Sequence, residues 1–247
     1  MISSADKVEV GRQIVELCTG EGVTARLLGG VAVALSCPSA TEPPLRRSYG
    51  DLDLVTDRRG ARQLGELLER TGYTPDREFN AAQGRSRMLF HDPDGGHVDV
   101  FVETFVMCHT LELKDRLQLG ALTISSSDLL LTKLQIAAIN HKDVVDLSAI
   151  LLDLGPGSGE REIDTDYVTA LLSRDWGWWR TVTENLERLR SDASTVGLSS
   201  GAEAQLGQRV EGLTAAIESR PKSIKWRARA RVGERVPWRD EPEEIAE

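Results

Sequence analysis

The chain is short of several things at once, and each shortage removes a class of protein. Three cysteines in 247 residues (Cys18, Cys37 and Cys108) are too few and too scattered for a disulfide scaffold or a zinc ribbon. No unbroken run of about 18 apolar residues occurs, so neither a transmembrane helix nor a membrane partner is expected. The opening MISSADKVEVGRQIVEL has no apolar h-region and no small-residue cleavage site. With unpaired thiols, that gives the expectation of a cytoplasmic protein. Positive charge is short as well: 30 Lys and Arg against 39 Asp and Glu leave a net charge of −9. Such a chain repels nucleic acid and anionic lipid over most of its surface, which excludes a broadly basic coat and leaves room for a local basic segment. Aromatic residues are scarce at 5%, yet hydrophobic residues reach 40%, enough to bury a core and to exclude a disordered chain.

What is present is ordered along the chain. Residues 4–20 carry Val10, Ile14, Leu17 and Cys18 at helical spacing, with Ser4 or Asp6 as the cap and Gly20 and Gly22 as the stop. ARLLGG (25–30) reads as a short strand meeting a glycine pair, and VAVAL (31–35) as the helix it opens. A loop rich in Ser, Pro and Arg leads to DLDLVTD (51–57), which alternates like a strand. A helix follows at 58–72, then RSRMLFH, DPDGG and HVDVFVE (85–103) as a β-hairpin, and a short strand at 122–125. Beyond that the pattern is helical: 125–139, 142–154, about 165–174, 176–191 and 201–218. The expected architecture is therefore α/β (α+β), a sheet with flanking helices in residues 1–124 and a helical domain in 125–219. Residues 220–247 form a tail that is first basic and then acidic.

Strand periodicity gives the acidic residues of the first half a direction. Asp51 and Asp53 lie two apart and share a face, while Leu52 and Leu54 turn to the core. In HVDVFV, Asp99 points opposite to Val98, Val100 and Val102. If the two strands are neighbours, three carboxylates converge, and only a cation or raised pKa values make that tolerable. Mg²⁺ suits such oxygen ligands and bridges carboxylates to substrate phosphates. The pair Gly29-Gly30 offers bare backbone N–H groups at a helix start, where phosphate oxygens dock. Together these features point to phosphoryl or nucleotidyl transfer.

On LLGGVAVAL (27–35), RRSYGDLDLV (46–55), HVDVFV (97–102), DLLLTKLQI (128–136) and KDVVDL (142–147), the chain resembles the DNA polymerase β-like nucleotidyltransferase superfamily. Within it the likeness is to AbiEii-type toxin nucleotidyltransferases of toxin–antitoxin systems. The resemblance implies a mixed sheet, with Asp51 and Asp53 as ligands of two Mg²⁺ ions and Asp99 as ligand and base. It also implies Lys133 on the nucleotide phosphates, Asp143 or Asp146 completing the pocket, and Arg47 as the basic residue before the DxD. Where many members carry serine after the glycines this chain has Val31, so the cradle relies on backbone N–H groups or borrows Ser48. The implied reaction moves a nucleoside monophosphate from an NTP to a hydroxyl. The acceptor would be RNA, such as the tRNA 3′ end, and an antitoxin protein would be the cognate partner.

Two other readings stay open. An acidic pocket also suits a cationic small molecule of the aminoglycoside kind, and a silent domain would only bind a partner protein. Residues 220–239 hold eight Lys/Arg against one Glu, interleaved with Trp226 and Trp238. That composition fits an RNA-contacting segment or a terminus folded on the chain's own acidic surface. Trp176, Trp178 and Trp179 read as core anchors, and the four histidines have no metal-like spacing.

Overall fold

In the computed structural model, which describes residues 6–159 and 161–241, the first helix α1 (Lys7–Gly20) starts where Asp6 accepts the Val8 N–H at 3.0 Å. It buries Val10, Ile14, Val15 and Cys18, the stripe set by its 3.6-residue period. Strand β1 (Ala25–Leu28) runs straight into α2 (Gly29–Ser36), and β2 (Leu52–Thr56) follows the proline-containing loop. Helix α3 (Ala61–Arg70) buries Leu64, Leu67 and Leu68, each worth roughly 1.5–3 kcal/mol of burial. Then come β3 (Thr74–Pro75), α4 (Arg77–Gln83), β4 (Arg87–His91) and β5 (His97–Val102).

The five strands form one mixed sheet in the order β1-β2-β5-β4-β3. Strands β1 and β2 are antiparallel, β2 and β5 parallel, and β4 is antiparallel to both β5 and β3. Leu52, Leu54, Val98 and Val100 are wholly buried, as period-2 alternation requires of one sheet face. The expected strand at 122–125 is only a single bridge, Thr123 beside Leu27.

The chain divides into two units. The first holds residues up to 36, 47–105 and 111–129, and so contains the whole sheet. The second holds 37–46, 106–110 and 130 onwards. Its helices are the last turn of α5 (Ser126–Leu134), α6 (His141–Asp153), α7 (Thr165–Leu172), α8 (Trp176–Asp192), α9 (Ser200–Ser219) and α10 (Ile224–Val232). Helix α5 stops five residues before the expected 139. Asn185 Nδ2 donates to the carbonyls of Leu134 and Ile136 at 2.8 and 2.7 Å, and Ala138 adopts φ 55°, which a helix cannot contain.

Candidate active site

The site in the first unit begins at the turn from β1 to α2. Gly29 has φ 68°, and a Cβ on it would lie 1.9 Å from Asp53 Oδ2. A Cβ on Gly30 would lie 2.2 Å from Arg47 Nη2 and 2.9 Å from Tyr49 Cδ1. The two glycines thus serve conformation and close approach together: a carboxylate and a guanidinium both lie on bare backbone at the start of α2. Arg47 is held over the Tyr49 ring at 4.4 Å and donates Nη1 to the Ser48 carbonyl at 3.2 Å. Ser48 itself is exposed.

The parallel pairing of β2 with β5 sets Asp53 opposite Asp99 at matched register, so the two side chains share one face. Asp99 is 5% exposed, and its Oδ1 accepts from Arg87 Nε at 2.7 Å. Its Oδ2 has no hydrogen bond among the described residues. The guanidinium of Arg87 lies over the Phe101 ring at 5.1 Å, which fixes its direction. Asp51 behaves differently. It precedes β2, is exposed, and its Oδ1 accepts the His97 N–H at 3.0 Å, fastening the end of the β4–β5 turn.

Among the described residues no three His, Cys, Asp or Glu side chains gather as a metal-ligand set. The protein supplies a pair, Asp53 and Asp99, with the glycine turn beside it. Two carboxylates fit Mg²⁺ where substrate phosphates and water complete the octahedron, so the donor set suits that ion in the presence of a nucleotide.

Lys133, Asp143 and Asp146 form their own cluster in the second unit. Lys133 Nζ lies 2.8 Å from Asp146 Oδ2 and 3.4 Å from Asp143 Oδ1. Asp146 is 1% exposed. Asp143 also closes the capping box of α6, where its Oδ2 accepts the Asn140 N–H and its own N–H donates to Asn140 Oδ1. Both aspartates therefore hold the lysine, and Asp143 in addition begins the helix.

Several residues matter to the structure without showing it in the sequence. Arg87 reads there only as one of two alternating arginines, Arg85 and Arg87, on the hairpin. Its tie to Asp99 follows from register: Arg87 pairs with Phe101, which makes Asp99 its diagonal neighbour. Asp128 is fully buried and takes both oxygens to Arg116 Nε at 2.8 Å and one to Ser125 Oγ at 2.5 Å. His109 is buried with Nε2 2.9 Å from Thr181 Oγ1, and burial pushes its pKa down to about 4. Cys18 and Cys37 are buried, and burial pushes their thiols up to about 11 and about 12, which leaves them protonated and unreactive.

No protein-family profile and no curated protein matches the sequence. Solved structures do. The lincosamide antibiotic adenylyltransferase LnuA, in its lincomycin-bound form, matches at 17% identity and TM-score 0.41, covering 56% of this chain and 92% of its own. An antigenic nucleotidyltransferase-like protein from Paracoccidioides brasiliensis matches at 15% identity and TM-score 0.40, covering 90% of this chain and 96% of its own. The chain has no helix long and apolar enough to cross a membrane among its described residues.

Proposed function

We propose that the first unit is a Mg²⁺-dependent nucleotidyltransferase. The observation that carries this reading is the meeting of Asp53 with Gly29 at a strand-to-helix turn, with Asp99 in register beside it. Asp53 and Asp99 would hold the cation, which supplies charge neutralisation for an NTP triphosphate and its pyrophosphate leaving group. The N–H groups at the start of α2 and the Arg47 guanidinium bind phosphate oxygens. An acceptor hydroxyl attacks the α-phosphorus. The new P–O ester bond forms as the α–β bridging P–O bond breaks, and the Asp99 carboxylate would take up the hydroxyl proton. Asp51, tied to His97, orients the loop beside the pair.

The proposed acceptor is RNA, on the strength of the basic segment 220–239 in an otherwise acidic chain. Each of four labelled NTPs with Mg²⁺ is offered to total cellular RNA and to an aminoglycoside panel. Labelled RNA is the expected product, lost in Asp53→Asn. Label on an aminoglycoside alone refutes RNA as acceptor, and label on neither refutes transfer.

A further inference from the structure

The second unit contains a cavity of about 510 Å³, within the range of roughly 300–1,000 Å³ occupied by small-ligand pockets. Its walls come from residues 108–110, the start of α8, and the C-terminal segment from α10 to Asp240. Four of the chain's five tryptophans line it: Trp176, Trp178, Trp226 and Trp238. In a chain with 5% aromatic residues this is a concentrated stacking surface.

Two features of the walls stand out. The indole N–H groups of Trp226 and Trp238 are buried and have no acceptor among the described residues, a state that native interiors avoid. Arg174, Lys225 and Arg239 also line the space, and none has a carboxylate partner among the described residues. The acidic groups at the rim are Asp175 and Asp240. Asp175 is occupied in capping α8, where it accepts the Trp178 N–H at 3.1 Å. Arg229 is likewise committed, to the carbonyls of Gly233 and Val236. His109, stacked on Trp178 at 4.9 Å, is neutral and adds no charge. The lining is thus aromatic and net cationic.

The wall is built rather than draped. A Cβ on Gly177 would lie 2.4 Å from the Trp238 carbonyl oxygen, so only glycine lets the C-terminal backbone come this close to α8. The Asp240 N–H donates to the Cys108 carbonyl at 3.0 Å, and the Ser223 N–H to the Ser173 carbonyl at 2.9 Å. Backbone bonds at both ends of the segment hold its tryptophans and cations around the space.

We propose that this cavity binds a nucleotide, its base against the indoles of the lining and its phosphate on Arg174 and Lys225, with the Arg239 guanidinium over Trp238 at the same wall. Indole faces stack any base, and Arg174 and Lys225, which have no carboxylate partner among the described residues, select the phosphate ester over the bare nucleoside. The inference stands on the cavity alone and does not require the transfer reaction. The nucleotide is either free or the terminal unit of a single strand, and a strand end bound here would belong to the RNA acceptor proposed above.

The test is quenching of intrinsic tryptophan fluorescence in the full chain in EDTA, which removes any metal-bridged contribution from Asp53 and Asp99. Adenosine monophosphate and a short oligoadenylate are the probes, with adenosine and inorganic phosphate as controls. Saturable quenching by a probe is expected, with affinity at least about tenfold above either control. Quenching by the monophosphate identifies a free nucleotide, and quenching by the oligoadenylate alone identifies a strand end. Lys225→Glu and Arg174→Glu, both at exposed positions, should weaken binding about tenfold with unchanged melting. Trp226→Phe should retain binding that Trp226→Leu loses. Asp53→Asn should leave quenching intact even where transfer is abolished, which separates this proposal from the preceding one. Absence of saturable quenching by both probes, or an affinity indifferent to Lys225→Glu, Arg174→Glu and Trp226→Leu, overturns it.

Discussion

At the ends of β2 and β5 two carboxylates, Asp53 and Asp99, stand at matched register, and a guanidinium, that of Arg87, holds Asp99 by one oxygen. In the second unit two other carboxylates, Asp143 and Asp146, share the ammonium of Lys133. The groups are alike and the outcomes differ. In the helical cluster the cation touches both acids, and one acid is further spent on a capping box, so the assembly is closed. In the sheet, Asp99 Oδ2 has no hydrogen bond among the described residues, and its register partner Asp53 is the one that lies against the glycine turn. How many of a carboxylate pair's oxygens the fold has already used thus decides whether the pair is closed on its own cation.

That contrast can be broken at either end. In the sheet, Asp53→Asn and Asp99→Asn should each lower nucleotidyl transfer by about a thousandfold, several kcal/mol of transition-state stabilisation, and Asp99→Asn should also lower melting because it takes the carboxylate charge from the Arg87 guanidinium. Asp51→Asn, whose carboxylate meets the His97 amide at 3.0 Å and the His97 ring Nδ1 at 3.4 Å, should lose no more than about tenfold. Steady-state rates on labelled NTP distinguish the three. In the helical cluster the effect should fall on stability: Lys133→Met removes the buried cation that Asp143 and Asp146 share and should cost about 3–5 kcal/mol in denaturant unfolding.

A smaller effect comes from His109. Above about pH 6.5 both folded and unfolded states hold it neutral. As pH falls toward 4 the unfolded chain takes up a proton that the buried imidazole refuses, so stability declines through that window by about 3 kcal/mol. Unfolding free energies of wild type and His109→Gln, measured from pH 7 to 4, should converge as pH falls. The smallest effect is expected at Gly29→Ala, about 1–3 kcal/mol for a left-handed residue that also presses on the Asp53 carboxylate. Denaturant midpoints measure it.

Local period explains which of these features are legible in the sequence. The strand of Asp53, the hairpin carrying Asp99 and the glycine pair all follow from alternation and turn residues over fewer than ten positions, and the helices at 165–172, 176–192 and 200–219 follow from caps and apolar stripes. What escapes depends on partners distant in sequence. Nothing local tells that Asn185 ends α5 by taking the Leu134 carbonyl, or that Asp128 meets Arg116 rather than water. Asp51 and Asp53 look equivalent as a two-apart pair. They part because β2 begins only at Leu52 and His97 supplies an amide to the outer one. The tryptophan cavity is the extreme case: Gly177 reads as a helix liability until the Trp238 backbone is laid against it.

Everything proposed for the first unit depends on Asp53 and Asp99 forming a cation site completed by nucleotide phosphates. Mn²⁺ can replace Mg²⁺ at such oxygen sites and be followed by electron paramagnetic resonance, independent of any turnover. Titrated with Mn²⁺ in the presence of a non-hydrolysable NTP analogue, the wild-type chain should bind the ion, and the doubly substituted Asp53→Asn, Asp99→Asn chain should not. Equal Mn²⁺ binding by the two proteins would contradict the assignment.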